Sequence, residues 1–201
     1  MRRIALALTA ALLLGACAAK QAPYASDAFV ERVTYTHDGP PRLTLFTMIN
    51  NGNGSGAHTS LMINGSQRVI FDPAGSFQHE SIAERNDVVY GVTPKLADFY
   101  TRYHARATYH VKVQKLDVSP EVAERALQMV QAYGAVPQAQ CSLSTSGILA
   151  ELFPGQIKRT WFPNRLAEDF GQIEGVEERD LREYDSDDKK KVLRDYVPDE
   201  V

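Results

Sequence analysis

Cysteine is scarce in this sequence, and basic residues are not in excess. Only two of the 201 residues are cysteines, Cys17 and Cys141. Lysine and arginine number 22 against 25 aspartates and glutamates, which gives a formal net charge of −3. Because no basic field is available to hold phosphates, the composition excludes a nucleic acid as a partner. The sequence after Cys17 also contains no apolar run long enough to cross a bilayer.

Residues 1–17 have the layout of a secretory signal. Arg2 and Arg3 are followed by the apolar stretch 4–14, in which Thr9 is the only polar residue. Such a stretch is too short to span a membrane. The sequence Leu-Gly-Ala that directly precedes Cys17 resembles a lipobox, the motif at which bacterial lipoprotein precursors are acylated and cut. An ordinary signal peptide that happens to be followed by a cysteine is the alternative.

The lipobox resemblance implies that residues 1–16 are removed and that Cys17 carries the lipid. Each buried methylene of an acyl chain contributes about 0.8 kcal/mol to membrane binding, so several chains hold a protein firmly. Ala18 follows the cysteine. By resemblance to lipoprotein sorting in Gram-negative envelopes, this favours the outer membrane, with the protein facing the periplasm. Lipidation of Cys17 leaves Cys141 without a partner for a disulfide.

The chain after the signal divides into three predicted parts. Residues 17–30 are mostly small and polar, and we expect them to form a lipidated tether. Residues 31–174 have the length of a single domain. In residues 175–201, 16 of 27 residues are charged. We expect this part to be a mobile or loosely docked tail, because it has little apolar surface to bury. We also expect the run 185–191 within it to be solvated.

Strand patterns dominate the first half of the domain, and helical patterns appear later. The β-rich runs are 32–36, 42–49, 58–63, 67–71 and 107–116. The last of these runs alternates, which predicts a strand with one wet face. Helices are predicted over 94–104, 120–134 and 141–153. The predicted fold class is therefore α+β, with an antiparallel sheet built mainly from the first half.

The segment 57–72 is typical of a β-hairpin. A three-residue loop at 64–66 places His58 directly opposite Asp72 and collects the apolar side chains on the other face. Directly opposed Cβ atoms lie about 4.5–5.5 Å apart, so the Asp72 carboxylate can accept a proton from the His58 ring. Such a carboxylate fixes the tautomer of a catalytic histidine and stabilises its cationic form. A surface ion pair with no further role is the alternative.

Cys141 occupies a position suited to a nucleophile. Pro137 interrupts the chain before it, and the helical pattern begins at the cysteine. The free N–H groups and partial positive charge of a helix N-terminus lower a thiol pKa and can hold the oxyanion of acyl transfer. Gln138 and Gln140 could add an oxyanion donor or simply form the loop. A buried and unreactive cysteine is the alternative.

The segments around His58, Asp72 and Cys141 are Gly-Ala-His-Thr-Ser-Leu-Met-Ile, Val-Ile-Phe-Asp-Pro-Ala-Gly and Gln-Cys-Ser. Together they resemble the circularly permuted branch of the NlpC-type papain-like cysteine hydrolases, over about residues 42–153. The resemblance implies a papain-like fold in which the nucleophile helix follows the sheet. It also implies that Cys141 is the nucleophile, His58 the general base and Asp72 the polar third member. Asp72 departs from the family pattern, which more often has His, Asn or Gln there.

The resemblance and the envelope location together predict a cysteine hydrolase that cleaves an amide bond through a thioester acyl-enzyme, with a cell-wall peptide as substrate. Since the same branch contains acyltransferases, transfer or hydrolysis of lipid acyl groups is the enzymatic alternative. A non-catalytic lipoprotein that binds an envelope component is the third possibility. No metal or cofactor is predicted, because four further histidines lack metal-ligand spacing. They are His37, His79, His104 and His110.

Overall fold

The computed structural model describes residues 23–198, which form an α+β fold of six helices and seven strands. The strands are β1 (Arg42–Asn50), β2 (Gly56–Asn64), β3 (Arg68–Phe71), β4 (Glu84–Arg85), β5 (Val88–Val89), β6 (Tyr109–Asp117) and β7 (Glu177–Leu181). The helices are α1 (Asp27–Val33), α2 (Pro94–His104), α3 (Pro120–Tyr133), α4 (Cys141–Leu152), α5 (Pro163–Gly171) and α6 (Lys189–Arg194). Across these described residues, none of the helices is long and apolar enough to cross a membrane. The predicted signal segment and Cys17 lie outside them.

All seven strands belong to one antiparallel sheet, in the order β4-β5-β3-β2-β1-β6-β7. The long strand β1 is central and pairs with β2 on one side and with β6 on the other. The turn Asn86-Asp87 joins β4 to β5 with positive φ at both residues, 49° and 65°. This is the backbone that a tight type I′ hairpin turn requires.

Helices cover both faces of the sheet, because the central strands carry apolar side chains in both directions. One face packs against α3, α4 and α5, and its core includes Leu43, Leu45, Leu61, Ile63, Val69, Phe71, Leu127, Leu149 and Phe170. The other face packs against α2, and its core includes Phe46, Met48, Ile70, Val111, Val113, Tyr100 and Tyr103. Strand β2 is therefore held between two hydrophobic clusters.

The three predicted helices are confirmed. Helix α2 begins after Thr93, whose hydroxyl accepts the N–H of Leu96, and proline occupies its first turn. Helix α3 begins in the same way after Ser119. Proline at the first helical position and a hydroxyl at the N-cap are both favoured there. Helix α4 begins at Cys141, as predicted.

The β2–β3 hairpin differs in register from the prediction. Asn64 pairs with Arg68 and Leu61 with Phe71, so the loop is 65–67 rather than 64–66. His58 is consequently not directly opposite Asp72. A shift by two residues keeps every side chain on its predicted face, so the hydrophobic pattern does not distinguish the two registers. The amide of Asn64 donates to the carbonyl oxygens of Gly39 and Pro40, which favours Asn64 in the strand rather than in the turn.

The start of the described chain is more ordered than a tether. Tyr24 forms an isolated bridge with Arg85 in the edge strand β4. The Ser26 hydroxyl then caps α1, which extends across the predicted domain boundary at residue 30 and into the predicted strand 32–36. The strand prediction is wrong because the capped helix begins upstream of the β-rich run.

The predicted C-terminal tail is also part of the fold. Strand β7 pairs with β6, and Lys112 Nζ lies 3.1 Å from Glu178 Oε1 across this pair. Backbone pairing and cross-strand charge pairs order β7 although it is highly charged. The prediction of a wet face on β6 is wrong, because Gln114 donates to the Ala167 carbonyl of α5 and the Arg182 guanidinium lies against the His110 ring. His110 and Gln114 are only 6% and 1% exposed.

Candidate active site

His58, Asp72 and Cys141 come together where β2 extends past the end of β3. His58 Nε2 lies 2.7 Å from Asp72 Oδ1. The Cys141 thiol lies close enough to the same ring for the two groups to shift each other's pKa. Since Nε2 is engaged by the carboxylate, Nδ1 is the nitrogen available to exchange a proton with the sulfur. The contact with Asp72 is diagonal across the hairpin, a separation that a long side chain can bridge.

A β-bulge lies next to His58 in β2. Met48 pairs with His58 and Ile49 with Gly56, so Ala57 is the extra residue. Bulges increase the local twist and redirect the neighbouring side chain. Gly56 allows the start of α5 to approach this point, since a Cβ there would lie only 2.8 Å from the Pro163 Cβ. The bulge and the glycine therefore set the direction of the strand that presents His58.

The Cys141 sulfur is held in surroundings that favour the thiolate. Burial by itself raises the pKa of Cys141, but hydrogen bonding and charge from His58 outweigh burial and lower it. The nearby backbone N–H groups of Thr59 and Ser142 lower the pKa further. The Ser142 group belongs to the first turn of α4, as expected for a helix N-terminus. Cys141 is 8% exposed and its thiol is free.

His58 and Asp72 shift each other's pKa in opposite directions. Burial alone lowers the pKa of His58, but the hydrogen bond and negative charge of Asp72 outweigh burial, and with Cys141 they raise that pKa to about 10. Burial alone raises the pKa of Asp72, and the hydrogen bond and positive charge of His58 lower it to about 2. At neutral pH the pair is therefore an imidazolium and a carboxylate. A cationic ring beside a thiol is the arrangement that activates a cysteine nucleophile.

Tyr100 and Gly75 position the Asp72 carboxylate. The Tyr100 hydroxyl donates to Asp72 Oδ1 at 2.7 Å and accepts from the Ser60 hydroxyl at 2.7 Å. At Gly75 a Cβ would lie 1.9 Å from Asp72 Oδ2, so only glycine leaves room for the carboxylate. Sequence reasoning missed both roles. Tyr100 lies in an apolar helical pattern that does not distinguish it from an ordinary core tyrosine.

Asp87 links the loop after Asp72 to the segment before Cys141. Its Oδ2 accepts the N–H of Ala74 at 3.2 Å and the N–H of Val136 at 2.7 Å. Burial raises the pKa of Asp87, and these two hydrogen bonds oppose the rise. The sequence places Asp87 in the turn after β4, and this position does not predict a link between two distant segments. Asp87 therefore holds both the loop after Asp72 and the segment before Cys141 in place.

A second histidine, His104, lies beside His58. The ring centroids are 6.1 Å apart, and the planes are inclined by 25°. Burial lowers the pKa of His104 to about 3, so this ring is neutral at pH 7. Its Nδ1–H donates to the Tyr100 carbonyl at 2.9 Å. A neutral neighbour avoids the like-charge repulsion that a second imidazolium would bring to the site.

A cavity of about 290 Å³ opens beside these rings. Its wall includes His58, Gly75, His104, Tyr109, Gln138 and Lys189. Gln138, predicted either as an oxyanion donor or as a loop residue, thus faces the cavity, whereas Gln140 is the residue at the α4 N-cap. Cys141 is not among the described residues that line the cavity. It lies beside His58, which does line the cavity.

Among residues 23–198, no group of three or more His, Cys, Asp or Glu side chains is arranged to hold a metal ion. No protein family, characterised protein sequence or solved structure matches the chain. The chemistry of the site must therefore be inferred from its own residues. These provide a thiol, a cationic ring that contacts it, a carboxylate on the far side of that ring and an adjoining cavity.

Proposed function

We propose that this protein is an envelope-anchored cysteine hydrolase of the permuted NlpC papain-like type, which cleaves an amide bond in a cell-wall peptide. The observation that carries the proposal is that the His58 ring interacts with two groups. Its Nε2 lies 2.7 Å from the Asp72 carboxylate, and the Cys141 thiol helps to raise its pKa. A structural cysteine needs no charged partner, whereas a nucleophile does. The anchor and the substrate class rest on the lipobox and family resemblances of the sequence.

In the acylation step, the Cys141 thiolate attacks the carbonyl carbon of the amide and forms a C–S bond. The N-terminus of α4 stabilises the negative charge that develops on the carbonyl oxygen. As the tetrahedral intermediate collapses, the C–N bond breaks. The leaving amine takes the proton from His58 Nδ1. The products are a free amine and a thioester on Cys141, with His58 now neutral.

In the deacylation step, water attacks the thioester carbonyl and gives one proton to His58. The C–S bond then breaks, the carboxylic acid leaves, and the thiolate–imidazolium pair is restored. Asp72 keeps the His58 ring oriented and stabilises its cationic form in both steps. We therefore expect Asp72→Asn to lower activity less than His58→Ala, because Asp72 does not exchange the proton itself.

The proposal is tested with purified cell wall and protein lacking residues 1–17. We expect the wild-type protein to release new amino groups from the wall, and the Cys141→Ser variant to release none. Deacylation of lipid without any wall product would instead indicate the acyltransferase or thioesterase function. Absence of both products, with slow alkylation of Cys141 near neutral pH, would contradict catalysis and favour a binding protein.

A further inference from the structure

The C-terminal segment contributes Lys189 to the wall of the cavity beside His58. Lys189 is the first residue of α6 and is half-buried, whereas its neighbour Lys190 is exposed. The Lys189 Nζ lies 4.8 Å from the centre of the Tyr103 ring. This cation–π contact holds the ammonium group against the domain. The run 185–191, predicted to be solvated, therefore supplies one side chain of the cavity.

Contacts on both sides of Lys189 determine its position. Before it, the Asp187 carboxylate accepts hydrogen bonds from the hydroxyl and the N–H of Thr108, at 2.7 Å and 3.2 Å. After it, Tyr196 stacks on Phe99 with ring centroids 4.4 Å apart. Both partners belong to the folded domain. Lys189 is thus presented to the cavity from an anchored segment.

Within the described residues, no carboxylate of the cavity wall forms an ion pair with Lys189. No Asp or Glu of residues 23–198 lines the cavity. Asp72 is engaged by His58, and Asp187 by Thr108. Both attract Lys189 at longer range, and Arg106 repels it. A partly desolvated ammonium in such a cleft attracts an anionic group of a bound molecule.

We propose that Lys189 makes the cleft selective for substrates that carry a carboxylate close to the scissile carbonyl. This inference rests on the proposed hydrolase function and deepens it by naming the substrate class. Lys189 binds and orients the substrate and takes no part in the proton transfers. An acidic acyl group is then preferred over a neutral one of the same size.

The test uses two small reagents that differ in one group. Iodoacetate carries a carboxylate where iodoacetamide carries a neutral amide, and both alkylate a thiolate. The full-length protein is treated with each, and the modification is measured on the Cys141 peptide by mass spectrometry, so that Cys17 does not contribute. The result is the ratio of the iodoacetate rate to the iodoacetamide rate.

We expect Lys189→Met to lower this ratio about fivefold, the effect of one charge at the wall of a solvated cleft. Lys189→Arg should retain the wild-type ratio, and the matched control Lys190→Met should leave both rates unchanged. High salt should reduce the ratio in the wild type but not in Lys189→Met.

An equal ratio in the wild type and in Lys189→Met, with Cys141 still reacting rapidly with iodoacetamide, would overturn the role of Lys189 and leave the hydrolase proposal standing. Slow reaction of wild-type Cys141 with both reagents would overturn the hydrolase proposal, and with it the selectivity.

Discussion

The candidate active site and strand β7 both hold pairs of opposite charges, but in different surroundings. In the active site, Asp72 is 3% exposed and is paired with the His58 ring at 2.7 Å. Along β7, the paired side chains of Lys112 and Glu178 are 26% and 52% exposed. The first pair interacts in a poorly solvated interior, and the second is screened by water.

This difference determines what each set of charges can do. Buried charges interact strongly, and each can change the protonation of its neighbour. Exposed pairs interact weakly and mainly help to align a strand that backbone hydrogen bonds already hold. Changes to the buried charges of the active site should therefore have large, pH-dependent effects, and changes along β7 small ones.

The largest effect is expected from His58→Ala. Loss of the imidazolium removes the main group that lowers the pKa of Cys141, so the thiol should be mostly protonated at pH 7. We expect alkylation of Cys141 at pH 7 to slow by about a hundredfold or more. The rate should recover only as the pH rises through the ordinary thiol range. The measurement is the pH dependence of iodoacetamide modification.

The control for this variant is His79→Ala. The His79 ring bonds Ser81 and is not part of the cavity wall in the described chain. It should leave the alkylation rate unchanged. If His58→Ala reacts as fast as the wild type at pH 7, the ion pair does not activate Cys141.

A somewhat smaller effect is expected from Gly75→Ala. The new Cβ would lie 1.9 Å from Asp72 Oδ2 and must displace the carboxylate. We expect alkylation at pH 7 to slow about ten- to a hundredfold, since small displacements of catalytic groups have effects of this size. Gly147→Ala in α4 is the matched control, because its Cβ would make only an ordinary contact with Arg159 at 3.8 Å. Equal rates for the two variants would contradict the role of Gly75.

The third effect concerns stability in acid. Burial lowers the pKa of His104 from its usual value of 6.5 to about 3. As the pH falls below 6.5, the His104 ring therefore binds a proton in the unfolded chain but stays neutral in the folded chain. Folding stability should fall by about 2 kcal/mol between pH 6.5 and pH 5 through this group. His58 contributes nothing over this range, because its raised pKa keeps it protonated in the folded chain and its unfolded form is also protonated below 6.5. Its contribution is lost instead as the pH rises through about 10.

Urea denaturation at pH 6.5 and pH 5 measures this loss. His104→Gln should remove most of it, whereas the control His79→Gln should retain it. An identical loss in the wild type and in His104→Gln would indicate that other groups carry the acid sensitivity.

The smallest effect is expected at the Lys112–Glu178 pair. A double-mutant cycle with alanine at both positions should give a coupling free energy below about 1 kcal/mol, which salt reduces further. Urea denaturation at low and high salt measures it. A coupling of several kcal/mol would mean that the exposed pairs of β7 are as strong as the buried pair, and the contrast between the two regions would fail.

Local signals in the sequence predict much of the site. The start of α4 at Cys141 follows from the interruption at Pro137 and from the helical pattern after it. The alternation of β2 and β3 places His58 and Asp72 on the same face, although the register is wrong by two residues. The hydrophobic pattern determines which face of the sheet each side chain occupies. The exact pairing depends on contacts such as those of Asn64 with Gly39 and Pro40.

Long-range contacts account for what the sequence did not predict. Tyr100 reaches Asp72 only because α2 packs on the face of the sheet that carries Phe46 and Ile70. The charged C-terminal segment has no apolar pattern, and β7 forms because the edge of β6 is available for pairing. The position of Lys189 in turn depends on Thr108 and Phe99, which lie far from it in the sequence.

His58 and Cys141 lie far apart in the chain, and β6 and α3 must be added between them before their contact can form. Closing such a long loop is a late event for a chain whose contacts are mostly non-local. Until then the thiol lacks its ring partner and has only ordinary nucleophilicity. The nascent chain is therefore latent, and the appearance of a fast-reacting thiol at neutral pH would report the completion of folding.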